Sequence, residues 1–263
     1  MLALVAGSGV LPGHVARRQP EKPLICVLDG NAPQDLEADV TFRLENFGTL
    51  LSDLAATGVT QVCFCGAIKR PSFDPDMLAT ATRPLAPRLM KALEEGDDSA
   101  LRLVMSLFEG HGMTILGVQD LVPDLLIGEG QMTATPLTPA MERDIARADA
   151  ILAALAPLDV GQGCVVGGGQ VWGIETVGGT DHMLLGLPPE VRFAEALLVK
   201  GPKQGQDIRI DLPTIGPDTI DAVMHAGLSG LVVAAGQTIL LCRDETLARA
   251  NEAGLVFWSR PGV

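Results

Sequence analysis

At 263 residues, with 47% hydrophobic and 19% charged residues, the chain can bury one large core or two moderate ones without disulfide or metal staples. A net charge of −13 repels polyanions, which excludes general affinity for nucleic acid or an anionic membrane surface and means that an anionic substrate must be met by a local basic patch. The five cysteines lie in apolar runs without C-x-x-C spacing, no basic leader opens the chain, and no apolar run reaches the roughly 18 residues of a membrane span. The expectation is a cytoplasmic protein with reduced, buried thiols, no nucleic-acid partner and no transmembrane segment; a transient, peripheral contact with the inner membrane and a homodimer are left open.

Strand and helix patterns alternate, the habit of an α/β domain with a largely parallel sheet. "MLALVAG" reads as a buried strand, residues 12–19 as a helix, "PLICVLDG" and "VTFRL" as strands, and "FGTLLSDLAATG" as a helix with leucines at helical spacing and a glycine stop. The strand "VTQVCFCG", two helices over 84–95 and 97–109, and the strand "MTILGV" complete the first half. The polar, Gly/Thr/Pro-rich stretch "GEGQMTATPLTPAMERD" places the domain seam near residue 135, giving domains 1–134 and 135–263. Beyond the helix "MERDIARADAILAALA", "GCVVGGGQVWGIETV" reads as two strands about a glycine turn and "DHMLLGL" as a short helix. "AEALLVK" leads to a charged stretch, followed by the helix "TIDAVMHAGLSG", the hairpin "LVVAAGQTILLCR", the helix "DETLARANEAG" and the strand "LVFWS".

The charged stretch is "KGPKQGQDIRIDLPTIGPDT", residues 200–219. Asp207, Arg209 and Asp211 alternate with Ile208, Ile210 and Leu212, so an extended segment would set the charges on one side and the hydrophobes toward a core. Pro213 keeps Leu212 out of the helical region. A carboxylate there suits magnesium or another divalent cation, which takes oxygen ligands and retains water and substrate phosphate. Lys200, Lys203 and Arg209 would neutralise phosphate oxygens. The plain alternative is a strand edge with surface charges.

Two other clusters carry weaker signals. "AGSGVLPG" stands between a strand and a helix, where amides cradle phosphate, but its spacing G-x-G-x-x-P lacks the third glycine of a dinucleotide fingerprint; Asp29 ends the second strand as a ribose-binding acid would. "GGTDHML" puts Thr180 and Asp181 at a helix start, where capping is the simplest role. The four histidines show no metal-ligand spacing. An NAD-dependent oxidoreductase and a non-catalytic nucleotide-sugar or lipid-binding protein therefore stand beside a phosphate-handling enzyme.

Taken in order, "LVAGSGVLP", "GAIKRP", "EEGDDSALR", "FEGHG", "DVGQGCVV", "GTDHML" and the long K-x-P-K-x-x-Q-D-x-R-x-DLPTIG motif resemble the UDP-2,3-diacylglucosamine pyrophosphatases of the LpxI type over nearly the whole chain. The resemblance implies a Rossmann-like N-terminal domain, a second α/β domain and an active site in the cleft between them. It implies metal-dependent hydrolysis of a lipid nucleotide to UMP and 2,3-diacylglucosamine 1-phosphate in lipid A biosynthesis, with magnesium as the usual cation. Carried over by position, Asp211 is the catalytic and metal-binding carboxylate, with Arg209 and Lys203 beside it. Gly7, Ser8, Gly9, Val10, Ala67, Gln162, Thr180, Asp181, Lys200 and Thr214 would line the substrate site; Ala67 stands where relatives often carry asparagine. For the acyl chains, the aliphatic composition of the C-terminal half suggests a channel there.

Overall fold

The computed structural model describes residues 1–69, 73–202, 207–210 and 212–261. It falls into two compact units: residues 1–123 with 207–211, and residues 124–206 with the remainder of the chain from 212.

In the first unit the order is β1 (Leu2–Ala6), α1 (Leu11–Ala16), β2 (Leu24–Leu28), β3 (Val40–Phe42), α2 (Phe47–Ala56), β4 (Gln61–Cys65), α3 (Ala86–Glu95), α4 (Asp97–Gly110), β5 (Thr114–Leu116) and α5 (Val118–Leu121). The five strands form one sheet in the order β3-β2-β1-β4-β5, with every neighbouring pair parallel. The uninterrupted apolar runs of β1 and β4 follow from burial on both faces, as a parallel sheet requires. From β1 the chain builds outward through β2 and β3, then restarts on the other side with β4 and β5. The loops after β1 and β4 thus meet at the carboxyl ends of adjacent strands where the winding reverses, the place where open α/β sheets leave a crevice. Phe42, Phe47, Phe64 and Phe108 anchor the core. Phe108 meets Phe47 and Phe64 edge-on, with ring centroids 5.6 and 5.5 Å apart.

The second unit contains β6 (Gly130–Gln131), α6 (Pro139–Leu155), β7 (Gly163–Gly167), β8 (Gln170–Ile174), α7 (Gly179–Leu185), β9 (Leu197–Lys200), β10 (Thr214–Ile215), α8 (Pro217–His225), β11 (Gly230–Ala234), β12 (Ile239–Leu240), α9 (Arg243–Glu252) and β13 (Val256–Arg260). Six strands run in the order β6-β13-β11-β9-β7-β8; β9, β11 and β13 are parallel, while β6, β7 and β8 join antiparallel. Alternate residues serve opposite faces: Leu198, Leu231, Val233 and Phe257 pack with Ile220, Val223 and Ala250, whereas Leu197, Val199, Val232 and Val256 pack with Met141, Ile145 and Ala148 of α6. Helix α6 starts sharply because Thr138 caps the Met141 amide at 3.2 Å and Pro139 fits the first turn.

Thr133 accepts from the Phe257 amide at 2.9 Å and donates to the Leu255 carbonyl at 2.8 Å, and β6 pairs with β13, so residues 124–134 pack with the second unit. Two expectations change. The stretch "LVVAAGQTILLCR" is not a hairpin. Strand β11 lies between β9 and β13, while β12 leaves the turn at Gly236 to pair in parallel with β10 in a separate two-stranded sheet. Residues 207–210 form a turn packed with the first unit, not an extended strand. Among the described residues, no helix is long and apolar enough to cross a membrane.

Candidate functional site

The loops after β1 and β4 are stapled. Gly7 and Ser8 donate their amides to the carbonyls of Cys65 and Ala67, both at 2.8 Å, and Ala67 donates back to the Ser8 carbonyl at 3.0 Å. The Ser8 hydroxyl adds a 2.9 Å bond to the Ala67 carbonyl. This close approach explains Gly7, where a Cβ would fall 2.5 Å from the Ala67 oxygen, and Gly66, whose φ of +91° also suits glycine. Buried Asn31, from the loop after β2, fixes the same crest by accepting from the Lys69 amide at 2.8 Å. The amides of Gly7 and Ser8 are therefore engaged within the protein, which narrows the expected donors in this turn to those of Gly9 and Val10. Ala67 contributes through its backbone. Pro12 takes the place of the third fingerprint glycine and its ring crowds Gly66, which speaks against a dinucleotide pyrophosphate lying close there.

The turn at 207–210 has a local cause. The Asp207 carboxylate accepts from the Arg209 amide at 3.0 Å, so the side chain captures the backbone two residues on and the alternating pattern never becomes a strand. The Ile210 amide donates to the Asp207 carbonyl at 3.2 Å, the Gln119 amide group donates to the Ile208 carbonyl at 3.1 Å, and Ile210 packs on the phenylalanine core. The Arg209 guanidinium clasps Asp207, Nε at 2.9 Å from Oδ1 and Nη2 at 2.6 Å from Oδ2, and reaches Glu109 with Nη1 at 3.1 Å. Those hydrogen bonds hold the Asp207 carboxyl below its usual range and push the Arg209 guanidinium upward. Arg209 is thus held by two carboxylates, those of Asp207 and Glu109. Lys203 and Asp211 lie outside the described residues.

In the second unit two of the expected residues, Lys200 and Thr180, come together at a buried ammonium, and Gln162 lies next to it along the backbone. Lys200 ends β9 opposite Gly163 of β7, and the Gly201 amide donates to the Gln162 carbonyl at 3.1 Å. Lys200 Nζ donates to the Thr180 hydroxyl at 2.5 Å, and that hydroxyl donates to Glu175 Oε2 at 3.0 Å. Lys200 Nζ and Glu175 Oε2 are 3.5 Å apart, with both side chains 10% exposed. The Gln162 side-chain oxygen is buried and has no hydrogen-bond partner among the described residues. An ammonium carries three donors, so beyond Thr180 and Glu175 this group keeps donor capacity for a phosphate oxygen, held in a fixed direction.

Thr180 is not the helix cap: Gly178 occupies that position before α7, and the threonine hydroxyl serves the Lys200–Glu175 pair. Asp181, in the first turn of α7, is exposed. Thr214 lies on β10, where its hydroxyl contacts the Leu212 carbonyl at 3.4 Å. Sequence reasoning missed Glu175. Its trace is the pair of glycines flanking Gln162: a Cβ on Gly163 would fall 2.4 Å from Glu175 Oε2, and one on Gly161 would fall 2.1 Å from the Glu175 carbonyl oxygen.

Among the described residues, no group of three His, Cys, Asp or Glu side chains could hold a metal ion. Asp207 is committed to Arg209 and Glu175 to Thr180 and Lys200.

Residues 1–125 match the model of the LpxI N-terminal domain and residues 128–258 that of the LpxI C-terminal domain. A relative from Caulobacter vibrioides, UDP-2,3-diacylglucosamine pyrophosphatase LpxI, is 34% identical over 268 aligned residues that cover 97% of this chain and 95% of the relative.

Proposed function

The chain belongs to the LpxI family, and on that premise we propose that it is a UDP-2,3-diacylglucosamine pyrophosphatase that releases 2,3-diacylglucosamine 1-phosphate and UMP in lipid A biosynthesis. The observation that carries this reading is the correspondence, across both domains, with a relative of that name. The geometry supports it at one point: Thr180 and Lys200, widely spaced in sequence, are joined by a hydrogen bond at a buried ammonium, with the Gln162 carbonyl bonded to the Gly201 amide beside it.

In the proposed reaction, water attacks the phosphorus attached to the glucosamine. A new P–O bond forms to the water oxygen, the bond from that phosphorus to the bridging oxygen breaks, and UMP leaves with the bridging oxygen. Negative charge spreads over the phosphoryl oxygens in the transition state, so preorganised positive charge there lowers the barrier. Lys200 provides it from a site shielded from water, and Thr180 and Glu175 keep the ammonium from following the substrate in its ground-state position. Asp211 orients the water or holds the cation, and Lys203 and Arg209 add charge, Arg209 on release from Asp207. A divalent cation, when bound by Asp211 and substrate phosphate, supplies further neutralisation. The Rossmann-like character of the first unit is supported by its strand order and its reversal between β1 and β4; the placement of the site in an interdomain cleft belongs to the same proposal.

The test is incubation of pure protein and an Asp211→Ala variant with UDP-2,3-diacylglucosamine, with magnesium or with EDTA, measuring UMP. The expected result is magnesium-dependent UMP release that falls at least about 100-fold in the variant while substrate binding persists. Binding without turnover by the unaltered protein under any divalent cation would leave a lipid-nucleotide-binding protein in its place.

A further inference from the structure

The parallel strands β9, β11 and β13 bring their carboxyl ends to one edge of the second sheet, the edge at which open α/β sheets hold ligands. Lys200 ends β9 and Arg260 ends β13. Arg260 stands opposite Ala234 of β11, and its guanidinium passes over that small residue, so that Nη2 lies 3.4 Å from where a Cβ on Gly201 would fall. Its Nη1 donates to Asp149 on α6, which packs on the face of the sheet that bears Val199 and Val232. Lys200 points to the other face, the one that bears Leu198, where it donates to Thr180 of α7. The main chain at Gly201 is therefore approached by a cation from each face.

A tether between α6 and β13 accounts for only part of Arg260. Its side chain is 7% exposed, a depth at which a charge is ordinarily paired and its donors are all used. Among the described residues, Asp149 is the one group bonded to it, and the buried Nε has no partner. With Nη1 on Asp149, the edge formed by Nε and Nη2 stays open, and that edge offers two parallel N–H groups to a pair of oxygens. Other buried polar atoms without partners adjoin the same edge: the Ser259 hydroxyl beside Arg260 and the side-chain oxygens of Gln162 and Gln237. The backbone joins these residues, since Ala235 donates its amide to the Arg260 carbonyl at 2.8 Å, Gln237 to the Ala234 carbonyl at 3.3 Å, and Gly201 to the Gln162 carbonyl at 3.1 Å. Unpaired buried donors and acceptors cost stability, and an oxygen-rich ligand at this edge offsets that cost.

We propose that Arg260 is a second phosphate-binding residue, which grips diphosphate oxygens through its Nε–Nη2 edge from the face opposite Lys200; the inference rests on the pyrophosphatase reading. Asp149 holds the guanidinium at the strand end and leaves that edge to the ligand. The phosphate charge is present before the reaction begins as well as in the transition state, so Arg260 acts mainly on substrate binding.

The experiment compares the full-length protein with its Arg260→Gln, Arg260→Lys and Asp149→Asn variants. It measures thermal unfolding, UDP binding by titration calorimetry, and UMP release from UDP-2,3-diacylglucosamine. Lysine at 260 keeps the charge beside Asp149 and with it the fold, but loses the forked edge; asparagine at 149 keeps an oxygen for Nη1 and removes a competing anion. Both Arg260 variants are expected to weaken UDP binding roughly tenfold or more and to raise KM by a similar factor, with kcat changed less. Asp149→Asn is expected to bind UDP at least as tightly as the unaltered protein. A mere tether groups the variants differently: Arg260→Gln and Asp149→Asn unfold early together, and Arg260→Lys binds UDP unchanged. That grouping, an equal loss of UDP binding in Asp149→Asn, or no UDP binding by the unaltered protein would overturn the proposal even if UMP is released. Arg260-dependent UDP binding by a protein that releases no UMP would instead refute the pyrophosphatase reading and leave a nucleoside-diphosphate site.

Discussion

Replacing Glu175 by Gln isolates the charge of the buried carboxylate, because the amide keeps an oxygen that accepts from Thr180. At 3.5 Å, and with the effective dielectric near 20 that suits protein interiors, the attraction to Lys200 is about 5 kcal/mol before hydration is counted. Part of this is offset, since glutamine does not give up the hydration of an ionised carboxylate on folding. Broken buried pairs cost about 3–5 kcal/mol, and the retained hydrogen bond puts Glu175→Gln at the low end, about 3 kcal/mol. That loss is expected to lower the unfolding midpoint of the second unit by roughly 10 °C in calorimetry. Stability alone would describe a structural pair, so kinetics is the discriminating assay. A lysine released from its anchor is expected to lose roughly tenfold or more in kcat/KM at a temperature where the variant is folded. Thr180→Val is expected to reproduce this defect and Thr180→Ser to spare it, since only the serine retains the hydroxyl between lysine and carboxylate. A Glu175→Gln enzyme that unfolds earlier yet turns over at the original rate would refute the positioning role, and one unchanged in both respects would refute the pair as drawn.

What the sequence made legible was whatever local pattern decides. The apolar runs of β1, β2 and β4, the leucine spacing of α2, and the Gly168–Gly169 turn joining β7 to β8, where both residues have positive φ, follow from period and backbone freedom. The pattern misled where a side chain competed with the backbone: Asp207 to Ile210 alternates as a strand does, but the Asp207 carboxylate takes the Arg209 amide and makes a turn. It also misled where two apolar runs around a glycine suggested a hairpin, because β10, which draws β12 aside, is separated from it by a whole helix. Lys200, Thr180 and Gln162 were visible as motif residues, yet their common surroundings were not. Glu175 lies on the chain after β8, and only the pairing of β7 with β8 and β9 brings it to Lys200. Burial of that kind is a long-range property, marked locally by nothing more than the glycines at 161 and 163.

Gly7→Ala places a methyl 2.5 Å from the Ala67 carbonyl oxygen, so it is expected to cost about 1–3 kcal/mol in the first unit and to raise KM; unchanged thermal unfolding and KM would mean that the staple yields freely. Thiol titration with an aromatic disulfide reagent at pH 8 is expected to find Cys242 reactive in the native protein and all five cysteines after denaturation. Burial pushes Cys26 and Cys164 up to about 12 and, with a hydrogen bond to Cys65 as the leading cause, Cys63 well above the ordinary thiol range; a second rapid thiol before unfolding would contradict this. Acid tests the turn that precedes Asp211. Because the Arg209 hydrogen bonds depress the folded-state Asp207 pKa, the stability it contributes is present above the unfolded value of about 3.9 and is lost as pH falls through the lower folded value. Asp207→Asn is therefore expected to lower the urea midpoint of the first unit equally at pH 7 and pH 5, with the difference shrinking only below about pH 4. The effect is expected to be small, since Arg209 is 37% exposed and solvent screens the pair. A difference that instead shrank between pH 7 and pH 5 would assign the control of this segment to a group other than Asp207, because a carboxylate with a depressed pKa stays ionised throughout that interval.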